Sequence, residues 1–224
     1  MPSKRIRIQK TKKTGEKMKV FNKNNFMIHL LAPKDTAYYQ HNIRITNDFT
    51  EVTNGYYLLR VSSKEEKKEN LPETDNLKPS KRKIDTIISA NSAKEIEKAI
   101  PKKHWNPILN NVWVGQNTNK ETIEFISTDL DTWKPVIARK CIEVKYPNTD
   151  KIMTDKLKDK PSAEICFSPT YMEQICQQFR KAEIGMIKLS FYGANKAMKL
   201  EGTKIESNQK ITVILMPIRD QEKK

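Results

Sequence analysis

One order of segments recurs along the 224-residue chain, and it restricts the fold to something built from equivalent units. The copy between residues 162 and 219 is the clearest. SAEICFS (162–168) alternates apolar and polar residues as a half-buried strand does. Ser168 and Pro169 then suit a helix start, the serine as cap and the proline in the first turn. Met172, Ile175, Cys176 and Phe179 give that helix an apolar face at helical spacing. After Gly185, MIKLSFYG, KAMKLEG and KITVILMPIR read as three strands, with the turn residues Gly193, Asn195 and Gly202 between them. The order is strand, helix, strand, strand, strand.

The stretch 84–142 repeats it. KIDTIISAN reads as a strand, Ser92 with Glu95 as a capping box, and AKEIEKAI as a short helix buried through Ile96 and Ile100. LNNVWVG, ETIEFISTD and KPVIARKCIEV follow as strands. A third copy lies earlier, with KRIRIQ as its strand, NKNNFMIHLLA as its helix, and HNIRITND and TEVTNGYYLLRVS as further strands. SKEEKKENLPETDNLKPSKRK is charged, proline-bearing and free of apolar periodicity, so 63–83 reads as an exposed connection. The expected class is α+β, with repeated β-α-β-β-β units at about 1–62, 84–155 and 160–219 and a charged tail at 220–224.

Composition narrows the function. Forty-two basic against 27 acidic side chains leave a net charge of +15, which attracts a polyanion at long range; a lysine-solvated surface is the plainer explanation. No apolar run approaches the roughly 18 residues of a membrane span, so no membrane partner is expected. MPSKRIRIQKTKK lacks the apolar core of a signal peptide, which points to a cytoplasmic protein. Cys141, Cys166 and Cys176 have no paired metal-ligand spacing, and Cys166 and Cys176 read as small core side chains. His29, His41 and His104 are isolated, and His29 falls in an apolar helical run that suits a core or boundary role. Six glycines form no phosphate loop, and Asp129 and Asp131 suit a strand end better than a metal site. No catalytic residue, metal or cofactor is expected.

Four local stretches, AYYQHNIRI (37–45), TEVTNGYYLL (50–59), KYPNTDKIM (145–153) and VILMPIR (213–219), together and in one order resemble the bacterial DNA sliding clamp family, the beta subunit of the replicative polymerase. AYYQHNIRI (37–45) resembles the family's Arg-Tyr-Tyr-Leu-Asn-Gly segment. TEVTNGYYLL (50–59) resembles its Ala-Thr-Asp-Gly-His-Arg-Leu stretch, keeping Thr53, Gly55 and Leu58. KYPNTDKIM (145–153) resembles its Phe-Pro-Asp-Tyr interdomain linker, and VILMPIR its terminal strand with the Met-Pro-Met-Arg ending. Asn54 replaces the aspartate, and Tyr56-Tyr57 the His-Arg pair. The family has six half-units per chain and three are counted here. The resemblance therefore implies a shortened clamp fold, with 1–155 like the family's middle domain and 160–219 like the last half of its third.

The resemblance also implies partners. In the family, peptides of polymerases and clamp loaders dock in an apolar pocket walled by three of these stretches. Carried over, the pocket residues are Thr53, Gly55, Tyr56, Tyr57, Leu58, Pro147, Ile152, Ile214 and Met216. Leu58 and Ile214, taken singly, also suit ordinary sheet positions. Non-specific contact with double-stranded DNA would run through Lys23, Lys94, Lys98, Arg180 and Lys181 on the helices, with Lys102 and Lys103 just beyond the second. A homo-oligomer is expected, since the last unit lacks the partner that the first two give each other. The competing reading is a non-encircling interaction module that keeps the pocket and competes for clamp-binding proteins.

Overall fold

The structure, a computed structural model, describes residues 17–32, 42–67, 83–100, 111–116, 121–127, 136–156, 161, 164–193, 195–204 and 209–218. They fall into two compact units, Met1–Thr149 and Asp150–Lys224. KRIRIQ, His41, Lys102, Lys103, His104, Asp129 and Asp131 lie outside the described residues.

In unit 1, strand β1 (Lys17–Asn22) precedes helix α1 (Lys23–Met27) and a 3-10 turn, Ile28–Leu31. Among the described residues the first strand of this repeat is KMKVFN. Asn22 caps α1: its side chain accepts from the Asn24 N–H, while the Asn25 side chain accepts from the Asn22 N–H. Asn25 is fully buried and donates to the carbonyls of Val61 and Ser62, which ties the helix start to the sheet below. Strands β2 (Asn42–Thr46), β3 (Phe49–Thr53), β4 (Leu58–Ser62) and β5 (Lys64–Lys67) complete this repeat. β5 lies inside the charged stretch 63–83. Its pairing with β1 sets Lys19 against Glu65, and a charged strand suits a sheet edge open to water.

The second repeat runs β6 (Asp85–Ser89), α2 (Ala90–Ala99), β7 (Asn111–Gln116), β8 (Thr122–Ile126) and β9 (Val136–Lys140). Helix α3 (Thr149–Lys156) follows it. The expected capping box at Ser92 and Glu95 is not the start of α2. Ser89, the last strand residue, caps α2 by accepting from the Ser92 N–H at 3.0 Å, so Ser92 sits inside the first turn. Ile96 and Ile100 are buried as their spacing demands.

The two repeats interlock. β1 pairs with β5 of its own repeat on one side and with β7 on the other, while β6 pairs with β2, all antiparallel. The sheets are therefore β5-β1-β7-β8-β9 and β4-β3-β2-β6, each built from strands of both repeats. One core fills the space between: Phe26, Ile43, Ile45, Val52 and Ile88 beside Ile96, Ile100, Ile123 and Phe125. Phe26 and Phe125, one from each repeat, meet edge to face at 5.6 Å.

Unit 2 holds α4 (Pro169–Lys181), β10 (Lys188–Phe191), β11 (Met198–Thr203) and β12 (Lys210–Leu215), in a sheet ordered β10-β11-β12. Ser168 occupies the cap position with proline next, though no side-chain hydrogen bond closes it. Phe179 is buried, and Met172 and Ile175 pack against the same core, but Cys176 is exposed and Cys166 only half-buried. The sheet lies under the Phe179 edge of the helix, and Cys176 falls beyond it. Residues 164–168, expected as a strand, belong to no sheet; the Cys166 carbonyl accepts from the Ile218 N–H at 2.8 Å. Gly202 must be small: a methyl group there would stand 2.6 Å from Ile184 and 3.0 Å from the Phe179 ring.

On the open face of this sheet Glu201 pairs with Lys210 and Lys199 at 2.5 and 2.9 Å. The hydrogen bond from Lys210, then that from Lys199, hold its carboxyl at about 2 against an ordinary 4.5. A carboxylate depressed by folding contributes stability above its unfolded value and loses it as the pH falls towards the folded one. Thermal unfolding should therefore show an acid-sensitive component between pH 4.5 and 2 that Glu201→Gln removes; equal acid slopes for both proteins would refute the assignment.

Candidate functional site

The Thr53–Leu58 stretch is the hairpin turn joining β3 to β4, with Thr53 facing Leu58 in register. Thr53 is buried, and its hydroxyl donates to the Tyr57 carbonyl at 2.6 Å while accepting from the Gly55 N–H. Asn54 accepts from the N–H groups of Tyr56 and Tyr57 at 2.9 and 3.0 Å, a job an aspartate at this position would also perform. Gly55 has φ +88°, which a side chain rarely adopts, so the turn explains this glycine without a ligand. Thr53, Asn54 and Gly55 thus form the turn's scaffold. What it offers to solvent is Tyr56, 97% exposed, and Tyr57, whose hydroxyl donates to the Leu31 carbonyl. That bond sets exposed Leu30 and Leu31 beside the tyrosines. Sequence reasoning missed them; the available signal was a leucine pair beyond what one buried face of so short a helix uses.

The linker stretch is held from below. Residues 141–148 run without regular structure and enter α3, so the expected linker is helical from Thr149 onward. Pro147 is half-buried, and its carbonyl accepts from the Thr149 N–H. Ile152 lies in α3, and its side chain is outside the described part of the structure. The anchor is Glu51 in β3, fully buried. It receives Arg44 at 3.0 Å, Arg60 at 2.8 Å and the Thr149 hydroxyl at 2.7 Å. Arg60 also lies 3.7 Å from the centre of the Phe49 ring. Arg44 forks onto Asp85 through two bonds of 2.8 and 2.9 Å, which hold the Asp85 carboxyl below its usual range. Tyr146 donates to the Glu51 carbonyl, and burial pushes its hydroxyl pKa well up.

Ile214 and Met216, in unit 2, are 58% and 65% exposed, while Leu215 between them is buried in the unit 2 core. Alternation along β12 points Ile214 outward, and Met216, just past the strand, is exposed as well, so neither is a core residue.

Of the basic candidates, Lys94 and Lys98 lie on the exposed face of α2, and Arg180 and Lys181 on the exposed last turn of α4. Lys23 is paired with Glu97 at 3.4 Å, and His29 bonds the same carboxylate at 2.8 Å. Burial works against the charge on Glu97, but His29 and Lys23 together outweigh it and hold its pKa low. Lys23 is thus tied to its own fold. Among the described residues there is no cluster of three metal-ligating side chains, and no helix long and apolar enough to cross a membrane.

No sequence family model and no curated protein matches the chain. Solved structures do. A protein described as a DNA polymerase III beta subunit from Eubacterium rectale aligns with TM-score 0.54 and 11% identity, over 92% of this chain and 51% of that one. DNA polymerase III beta chain from Streptococcus pneumoniae gives 0.53 and 13%, over 90% and 50%. The beta subunit of the Streptococcus pyogenes polymerase gives 0.51 and 13%, over 93% and 51%. The chain spans about half the length of each. Its fold is the clamp fold of these DNA polymerase III beta subunits, with the described strands gathered in three antiparallel sheets.

Proposed function

We propose that the chain acts as a clamp-like processivity factor of DNA replication, which holds duplex DNA without reading its sequence and docks peptides of a polymerase and its loader. The observation that carries this reading is the match to DNA polymerase III beta subunits over nine-tenths of the chain. The net charge of +15 supports the DNA partner. Lys94 and Lys98 on α2 with Arg180 and Lys181 on α4 are the DNA-facing residues; Lys102 and Lys103 extend the α2 set, and Lys23 contributes least because Glu97 holds it. In unit 1 the peptide-contacting residues are Tyr56, Tyr57, Leu58 and Pro147; in unit 2 they are Ile152, Ile214 and Met216. Thr53 and Gly55 shape the turn that presents the tyrosines.

Binding to duplex DNA should be weak, indifferent to sequence and steeply salt-dependent. With about four to six phosphates neutralised, the slope of log affinity against log salt is roughly −4 to −5. Replacing Lys94 and Lys98 together by glutamine should reduce the steepness of that slope by about 2. A flat salt response, or preference for one duplex sequence, would refute the DNA reading.

The second reading is an interaction module that keeps the peptide contacts and competes for clamp-binding proteins without encircling DNA. Retention on circular DNA with loss from linear DNA of the same length supports a ring. Equal retention on both supports the module.

A further inference from the structure

In unit 1 each repeat closes the other's sheet, and unit 2 carries both halves of that device with no strand paired to either among the described residues. The helix caps Asn22, Ser89 and Ser168 align the three repeats. Two residues before each cap stand Val20, Ile87 and Cys166. Val20 lies opposite Lys64 of its own repeat; the Ile87 carbonyl accepts from the Ile142 N–H, and that of Cys166 from the Ile218 N–H. All three are thus joined to the tail of their own repeat. In unit 1 the opposite edge of each such strand pairs with the other repeat, Phe21 facing Val112 and Ile88 facing Ile43. In unit 2 residues 165–168 run the same course but belong to no sheet.

The receiving strand is open too. NIRIT (42–46), NVWVG (111–115) and MIKLS (186–190) occupy the same place in their repeats, so Ile43, Val112 and Ile187 correspond, as do Ile45, Val114 and Leu189. Ile45 is fully buried whereas Leu189 is 47% exposed, and Phe191, next on that face, is 55% exposed. β10 is at the edge of its sheet and exposed along most of its length, in contrast to the buried β2. β10 therefore carries the sequence of a covered strand without its cover.

We propose that this edge is self-complementary, and that a second copy of this chain fills it. A two-fold axis sets residues 165–168 of each copy antiparallel to β10 of the other, so one operation closes both open edges. The unit 1 register carries over as Ser168 facing Met186, Phe167 facing Ile187, Cys166 facing Lys188 and Ile165 facing Leu189 of the second copy. The result is a two-repeat unit with the strand exchange of unit 1, and α4 meets its counterpart as α1 meets α2. Exposed Leu189 and Phe191 are then covered. The pairing rests on the strand exchange and not on the DNA or peptide reading.

Cys166 makes the register testable in the full chain. Its carbonyl points to its own tail, so towards β10 it occupies a non-hydrogen-bonded position, where facing Cα atoms lie about 4.5 Å apart, within disulfide range. Lys188→Cys, oxidised with oxidised glutathione, should give a covalent dimer of twice 26.1 kDa on a denaturing gel, and adding Cys166→Ser should abolish it. Leu189→Lys, at an exposed position, should keep the circular dichroism of the parent and raise the dimer dissociation constant at least tenfold in sedimentation. A single 26.1 kDa species across micromolar concentrations would overturn the proposal. So would a disulfide from Cys166 to the introduced thiol within one chain, which would show that residues 165–168 of the same chain fill the edge.

Discussion

Glu51→Ala should destabilise unit 1 by about 3–5 kcal/mol, the cost of removing one partner from a buried ion network. The side chain is fully buried and joins two guanidinium groups and a threonine hydroxyl, all at 3.0 Å or less. Without it Arg60 still has the Phe49 ring and its bond to Thr149, while Arg44 retains Asp85. The loss falls on Arg60 and on Thr149, whose hydroxyl loses its carboxylate partner, while the Tyr146 bond to the residue 51 carbonyl remains. For a unit of this size, about 3 kcal/mol corresponds to a fall of roughly 6–12 °C in the unfolding midpoint. Replacing Glu51 and Arg60 together by leucine and methionine should recover part of the loss, because an apolar pair leaves no buried charge without its partner. Denaturant unfolding of the two variants decides the matter: a cost under about 1 kcal/mol for Glu51→Ala would mean that the network contributes little, and that packing alone holds the linker.

This network shows where sequence reasoning stopped. Strand and helix types were legible because period-two alternation and helical spacing are local, and α1, α2, α4, β2 and β6–β12 lie where those patterns put them, whereas the stretch 50–62, read as strand through Thr53 to Leu58, is broken by a turn into β3 and β4. Pairing is not local. Nothing in KMKVFN or KIDTIIS tells which strand each lies beside, so the exchange of β1 and β6 between repeats was hidden, and β5 was absorbed into a charged connection. Glu51 was hidden for the same reason. In TEVT it looks like the polar half of an alternation, and only the register, with Arg44 and Arg60 directly opposite, shows a buried charge with two partners. Ser89 lost the cap assignment to Ser92 because both serines precede an apolar run, and only the backbone decides which leaves the helix. At the turn, resemblance marked the right stretch, but atomic detail divides it into residues that build it and tyrosines that it presents.

That division fixes how the docking reading should be tested. Removing the chain from Ile214 onward would delete Leu215, which is buried in the unit 2 core, and Ile218, which holds residue 166; lost binding would then report lost folding. Point changes at outward positions avoid this. Met216→Asp should weaken a short polymerase-type clamp-binding peptide by about 2 kcal/mol, close to thirtyfold, since a carboxylate placed against an apolar anchor is left desolvated. Ile214→Asp with Met216→Asp should remove measurable binding. Tyr57→Ala in unit 1 should weaken the same peptide at least tenfold while Thr53, Asn54 and Gly55 preserve the turn. Leu215→Ala supplies the opposite control, costing about 2–5 kcal/mol of stability through its cavity. Its peptide affinity should stay within a fewfold of the parent wherever the protein is folded. Fluorescence anisotropy of a labelled peptide reads the affinities, and denaturant unfolding reads the stabilities. If both aspartate variants bind within twofold of the parent, Ile214 and Met216 are surface residues without a docking role. The exposed apolar pair flanking Leu215 would then need another explanation.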